Sequence, residues 1–279
     1  MLLNDWSARD VQAWEYVPLG PFNSKNFGTS ISAWVVLAAA LEPFRAQGLE
    51  SGTELLPYLR EDDEGEGGRG NVFDIKLEVD LKSELSSLSS PSSSSDKLQM
   101  KIIDIDTDTN NSHRFTARNS PVAHTISRTS ATNLLFSFPQ MIAHHTSTGC
   151  PMAVGDLLGS GTISGPELPE PEPEPEPQRQ GQGQLHAPGN KGSLLEMTAN
   201  GKRALKLGRA GQEGQEKQED QKIEERMFLE DGDTVTIRGW CGGGGGDGTG
   251  NGNSGEDGKG LVGFGECSGT IEPAVELDL

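Results

Sequence analysis

The sequence predicts a mainly β (α+β) fold with few helices, diluted by polar insertions. Three observations predict it. Phe73, Ile75, Leu77, Val79 and Leu81 alternate with Asp74, Lys76, Glu78 and Asp80, the period of a half-buried strand. Asp231-Gly232-Asp233 is a turn signal directly before the strand-like run Thr234–Trp240. Hydrophobic residues make up only 33% of 279 residues, beside 37 Gly and 16 Pro. That is below the roughly 45–50% of a globular domain, so a normal core is interrupted by polar stretches.

In chain order, the first expected element is a helix over Asp5–Tyr16 that must stop by Pro18-Leu19-Gly20-Pro21. The strand Phe73–Leu81 follows. Leu98–Ile105, the turn Asp106–Asn111 and His113–Thr116 read as a hairpin. A second helix is expected over Thr132–His145, where Leu134, Leu135, Phe138, Met141 and Ile142 share one face. Thr129 or Ser130 can cap it, Gly149 and Pro151 end it, and Pro139 implies a kink or a shifted start. Within Leu194–Thr198, Glu196 is compatible with an ordinary strand position. Thr234–Trp240 is a strand, and Leu261–Gly265 and Gly269–Ile271 read as two short closing strands.

Four stretches cannot bury enough apolar surface to order themselves. They are a serine run at 83–95, a Pro-Glu alternation in 168–190, a Gln/Glu/Lys-rich run at 209–226 and a glycine run at 242–260. All four are expected to be flexible insertions, with a further acidic loop at Glu61–Gly70. The chain carries 42 acidic and 23 basic residues, a net charge of −19. This argues against nucleic acid and anionic membrane surfaces, which need clustered Lys and Arg. No apolar run reaches the roughly 20 residues of a membrane helix, and no basic leader is visible. Cys150, Cys241 and Cys267 lie far apart without C-x-x-C spacing. Free thiols in a reducing, cytoplasmic compartment fit better than a disulfide framework. The histidines His113, His124 and His186 fall in polar segments and suggest no chemistry. His144 and His145 suit a helix C-terminus.

Candidate chemistry concentrates in Asn4-Asp5-Trp6-Ser7-Ala8-Arg9-Asp10-Val11-Gln12-Ala13-Trp14-Glu15-Tyr16. On a helix of about 100° per residue, Asp5, Arg9, Gln12 and Tyr16 share one narrow stripe. Such a stripe suits a small anionic, oxygen-rich substrate. Arg9 offers a fork for a carboxylate or enolate, Gln12 and Tyr16 donate hydrogen bonds, and Asp5 suits a hard cation. Lys25, in the following loop with Thr29, adds charge for an oxyanion. Taken alone, the spacing favours a solvated helix face with an internal Asp5–Arg9 ion pair, because such i, i+4 pairs are common. Gly159-Ser160-Gly161-Thr162-Ile163-Ser164-Gly165 lacks the Gly-Lys-Ser/Thr ending of a phosphate loop, so nucleotide binding is rejected.

The segment Asn4–Thr29, NDWSARDVQAWEYVPLGPFNSKNFGT, resembles the core signature of the fumarylacetoacetate hydrolase family. The Trp-Glu-Tyr-Val-Pro-Leu-Gly-Pro-Phe continuation is similar to its fumarylacetoacetase branch rather than to the acylpyruvase-like members. Similar motifs follow in order. They include Leu56-Pro57-Tyr58-Leu59, His144-His145 with Gly149-Cys150, Gly155-Asp156-Leu157-Leu158, Ser160–Glu167, Gly192-Ser193-x-Leu195-Glu196, Phe228-Leu229-x-Asp231-Gly232-Asp233 and Gly263-Phe264-Gly265-x-Cys267.

The resemblance implies metal-dependent hydrolysis of the C–C bond of a small β-diketo acid, 4-fumarylacetoacetate, to fumarate and acetoacetate, the last step of tyrosine breakdown. It implies a divalent metal, Mg²⁺ and/or Ca²⁺, near Asp5, Lys25 and Thr29. Arg9, Gln12 and Lys25 resemble the groups that stabilise the carbanion leaving group. Tyr16 and Thr162, with Arg9 and Gln12, resemble substrate contacts, and Glu196 resembles the glutamate that orients a catalytic histidine. It also implies a homodimer and a mixed, rolled β-sheet, truncated here at its N-terminal side. Across residues 1–279 the resemblance is to a partial catalytic domain. The family's N-terminal barrel domain, catalytic histidine and further carboxylate ligands have no counterpart, so the chain alone is expected to be inactive. A family acylpyruvate hydrolase or decarboxylase, and a non-catalytic dimerising subunit, are the alternatives.

Overall fold

In a computed structural model of the chain, the residues described are 1–49, 52, 54–60, 70–83, 123–166, 189–207, 224–243 and 260–275. They are mostly sheet with few, short helices. The largest sheet is four-stranded and antiparallel. It is built from β5 (Lys76–Lys82), β6 (Ala123–Ser130), β9 (Thr234–Cys241) and β10 (Val262–Thr270), in the order β10-β9-β5-β6. Three two-stranded ladders surround it. They pair β1 (Leu3–Asp5) with β2 (Thr29–Ile31), β3 (Arg45–Ala46) with β4 (Val72–Phe73), and β7 (Leu205–Leu207) with β8 (Glu224–Arg226). A parallel bridge joins Ser127 to Gly189.

Alternation along β5 sends Leu77, Val79 and Leu81 to the core, where Leu81 is fully buried. A buried Leu is worth about 1.5–3 kcal/mol. One core cluster gathers Leu2, Phe44, Val72, Phe73, Ile75, Leu134, Cys241, Phe264 and Cys267. The other gathers Leu81, Ile126, Leu207 and Val235, with Trp6 and Met197 packed against it. Among the described residues no helix is long and apolar enough to cross a membrane. The three cysteines are free, Cys150 exposed and the other two buried.

Several expectations are corrected. The strand over Phe73–Leu81 is broken: Ile75 N–H bonds Phe73 C=O at 2.9 Å, a three-residue turn that sends β4 and β5 to different partners. The second helix begins at Phe138, not Thr132, as α3 (Phe138–Thr146) among the described helices. Pro139 tolerates only the first turn, and Ser137 and Gln140 form a capping box there. Ser130 instead caps the separate turn Ala131–Asn133. The two closing strands are one, β10, with a register shift between Gly263 and Glu266 and Gly265 at φ 75°. The polar run at 209–226 ends in β8, whose Arg226 is buried. His124, in the polar segment that forms β6, is buried, and its Nδ1 has no hydrogen-bond partner among the described residues. The hairpin expected at 98–116 lies outside the described residues, as does most of each low-complexity stretch.

Candidate active site

The first group of site residues is built on the β1–β2 ladder and the segment between its strands. Asp5 ends β1 and lies opposite Thr29, which opens β2. Asp5 is therefore not on the helix that the spacing suggested: helix α1 starts only at Arg9 and runs Arg9–Trp14. Ala8, with extended backbone at ψ 101°, separates strand from helix. No Asp5–Arg9 ion pair forms. Lys25 takes that place, its Nζ 2.7 Å from Asp5 Oδ2. Lys25 Nζ also donates to Ser7 Oγ at 2.6 Å and to the Asp5 carbonyl at 3.3 Å. Thr29 Oγ1 donates to Asp5 Oδ1 at 3.5 Å. The three residues assigned near the metal thus meet around one carboxylate.

Arg9 and Gln12 lie one turn apart on α1, and Tyr16 follows in the turn after the helix, which ends at Trp14 rather than reaching Tyr16 as expected. Arg9 Nη1 donates to Gln12 Oε1 at 2.9 Å, and the Tyr16 hydroxyl donates to the same oxygen at 3.4 Å. The helix ends into a loop held from inside by Glu15, which is buried. Glu15 Oε2 accepts from Ser24 Oγ at 2.8 Å and Ser24 N–H at 3.3 Å, and its Oε1 accepts from Asn23 N–H at 2.5 Å. Those bonds fix the backbone just before Lys25. Around them Trp14, Val17, Leu19, Phe22 and Phe27 stand exposed, Trp14 at 88% and Val17 at 89%.

The second group lies on α4 (Leu194–Met197), a short helix rather than a strand segment. Ser193 caps it, and this Ser-x-x-Glu spacing is the signal that could have revealed it. Ser193 Oγ donates to Glu196 Oε2 at 2.8 Å, and Ser164 Oγ lies 2.9 and 2.8 Å from the two carboxylate oxygens. Gly192 N–H in turn donates to Ser164 Oγ at 3.0 Å. Gly192 must be small, because a Cβ there would sit 2.5 Å from the Ile163 carbonyl and 2.7 Å from the Thr162 methyl. Thr162 is thereby placed two residues from Glu196's partner, on an exposed segment. Ser7, Glu15, Ser164 and Ser193 were not anticipated as site residues.

No hydrogen bond or ion pair joins the two groups among the described residues. They share packing instead: Trp6, next to Asp5, and Met197, next to Glu196, lie on the same core cluster. A hard cation wants several oxygen ligands. The first group offers one carboxylate, already paired with Lys25. No cluster of three His, Cys, Asp or Glu occurs among the described residues. A divalent metal does not fit this donor set by itself. What the first group offers an anion is two cations, Arg9 on α1 beside an amide and a phenol, and Lys25 in the following loop beside Asp5.

The described residues thus combine a mainly β fold with an Asp–Lys–Thr cluster and an Arg–Gln–Tyr stripe. Residues 1–255 match the family described as fumarylacetoacetate (FAA) hydrolase C-terminal. The chain belongs to that family. It is 46% identical over its whole length to the fumarylacetoacetase of Aspergillus fumigatus, of which it covers 44%. It is 37% identical to the fumarylacetoacetase of Arabidopsis thaliana over 98% of the chain and 44% of the relative. It is 34% identical to that of Homo sapiens over 99% of the chain and 45% of the relative. The chain therefore spans less than half the length of these relatives.

Proposed function

We propose that this chain supplies the carbanion-stabilising part of a fumarylacetoacetase active site, acting on a small β-diketo acid. The observation that carries the reading is the meeting of Lys25 with Asp5 at 2.7 Å, beside the Arg9–Gln12–Tyr16 stripe. Cleaving the C–C bond of 4-fumarylacetoacetate leaves electron density on the acetoacetate fragment as an enolate. Arg9 and Lys25 hold that charge, and Gln12 and Tyr16 donate to substrate oxygens, where fixed donors matter most. Thr162 contacts the substrate from the second group. Glu196, held by Ser164 and Ser193, is set to orient a water-activating histidine. The described residues hold no such histidine beside Glu196 and no cluster of carboxylate ligands around Asp5 for an Mg²⁺ or Ca²⁺ ion, and we infer that other polypeptide of the working enzyme supplies them. The active form is a homodimer.

The exposed apolar residues around the first group support the view that polypeptide covers it in the working enzyme. The test is a comparison of two proteins in a fumarylacetoacetate hydrolysis assay with Mg²⁺ or Ca²⁺. One is this chain; the other is this chain joined to the upstream portion of the Aspergillus fumigatus relative. Turnover by the joined protein only, lost in its Lys25→Met form, is the expected result. Turnover by neither, or by a Lys25→Met form at full rate, refutes the reading.

A further inference from the structure

A cleft of 470 Å³ opens on the outer face of the large sheet, lined by Lys76, Arg128, Asn133, Pro166, Asn190 and Trp240 among others. Trp240, Lys76 and Ser130 lie side by side across β9, β5 and β6, and Arg128 follows one pleat along, opposite Glu78. This face is not the one that carries Asp5. Gly239 and Leu77 turn toward Leu2 of the N-terminal segment, and their neighbours Trp240 and Lys76 point the other way.

The lining is unusual for a chain with 42 acidic and 23 basic residues: among the described residues it contains two cations and no carboxylate. Lys76 is held by Asp74 at 2.8 and 3.0 Å. Arg128 uses only Nε, at 2.7 Å from Glu78 Oε2, so both terminal nitrogens of its guanidinium are without an acceptor among the described residues. Asn133 and Asn190 each engage their Nδ2, on Thr129 Oγ1 and on the Pro166 carbonyl. The indole N–H of Trp240 has no acceptor among the described residues. Pro166 and the indole make the remaining surface apolar. A cleft of this size, mostly apolar with a few convergent polar groups, is the usual form of a small-molecule site. The two free guanidinium nitrogens match the two oxygens of a carboxylate, and the indole offers a flat face.

We propose that this cleft is a second small-molecule site, which takes a planar organic carboxylate on Arg128 and Trp240. It does not depend on the hydrolase reading. Its wall at Gly165–Pro166 continues the segment that carries Thr162 and Ser164, so a bound acid would lie next to the partner of Glu196. The test is titration of the whole chain with benzoate, followed by calorimetry and tryptophan fluorescence. Cyclohexanecarboxylate and inorganic phosphate are the comparison probes. Saturable benzoate binding is expected, weakened about tenfold in Arg128→Gln, unchanged in Asp5→Asn, with its fluorescence change absent in Trp240→Phe. Should Arg128→Gln lower the melting temperature, Lys76→Gln provides the same comparison. No saturable binding, equal binding of all three probes, binding indifferent to both Arg128 and Lys76, or binding lost in Asp5→Asn would each overturn the proposal. Loss in Asp5→Asn would place the acid at the first group instead, leaving the hydrolase reading intact.

Discussion

Lys25 Nζ lies 2.7 Å from Asp5 Oδ2, twenty residues away along the chain and across the mouth of the β1–β2 ladder. Both side chains remain partly exposed, at 37% and 49%. Solvent-screened pairs of this kind contribute about 0–1 kcal/mol to stability. The pair therefore adds little to folding, and the function proposed above gives it a chemical role that can be tested. Lys25→Met is expected to shift the melting temperature little while lowering kcat about 10²-fold in a turnover-competent form that contains this chain. A thermal melt read beside steady-state kinetics checks both halves. A large loss of stability with unchanged kcat would contradict the assignment.

The converse case is Arg226 with Asp233. Arg226 Nε and Nη2 reach the two Asp233 oxygens at 2.9 and 3.1 Å, and the side chains are 4% and 1% exposed. The hydrogen bond to Asp233 raises the Arg226 pKa further above its ordinary value, so the guanidinium stays charged. Asp233→Ala removes the two hydrogen-bonded oxygens and leaves the buried guanidinium, among the described carboxylates, only Glu230 at 3.7 Å and Glu224 at 3.9 Å, a loss of about 3 kcal/mol, the low end for a broken buried pair. Urea denaturation is the measurement. A joint Asp233→Leu, Arg226→Met variant should recover much of the loss, because apolar replacements carry no desolvation penalty.

What the sequence disclosed, and what it hid, divides along element length. Arg9 and Gln12 stand as their helical spacing predicts, while Tyr16 lies past the helix end at Trp14 and still reaches Gln12 Oε1. Asp5 was drawn onto the same helix because the wheel has no means of locating where the helix starts. Ala8 offers no side-chain cap to mark that start. The strand Thr234–Cys241 was legible from its turn and length. β1, β3, β4 and β7 are only two or three residues long, too short for any period to show. β6 reads Ala-His-Thr-Ile-Ser-Arg-Thr-Ser, which resembles a loop. It is a strand because β5 supplies a partner for its backbone, a tertiary effect that outweighs local preference. For Glu196 the capping pattern with Ser193 was present in the sequence, but Ser164, thirty-two residues away, could be found only in the fold.

Cys241 and Cys267 give a prediction in pH. Burial, followed by the nearby Asp74 carboxylate, pushes the Cys241 thiol from 9.0 up to about 11, and burial raises Cys267 as well. Below about pH 9 the thiols keep their protons in both folded and unfolded chains, and their contribution is complete. Between about 9 and 11 the unfolded thiol ionises while folded Cys241 does not. Stability must then fall as pH rises, by about 1.4 kcal/mol per unit of separation. Denaturation curves at pH 8 and pH 10 should show the loss, and Cys241→Ala should reduce it. A thiol reagent at pH 8 should modify exposed Cys150 quickly and the other two only on unfolding.

Ser164 and Ser193 both touch Glu196, yet their removal should have different consequences. Ser193 is the cap of α4 and accepts from Glu196 N–H at 3.3 Å. Ser193→Ala should therefore cost about 1 kcal/mol of stability. Ser164 touches the carboxylate itself and binds Gly192 through its N–H. Glu196 is exposed, so losing one hydroxyl leaves no buried charge unpaired, and Ser164→Ala should melt close to the parent. What it loses is the fixed direction of the carboxylate. In a turnover-competent form, kcat should drop about tenfold with KM nearly constant, because a positioning contact acts on the transition state more than on binding. Ser164→Thr, which restores the hydroxyl, should recover the rate. An unchanged kcat in Ser164→Ala would show that Glu196 needs no such support, and a matching loss in melting temperature would make Ser164 a packing residue instead.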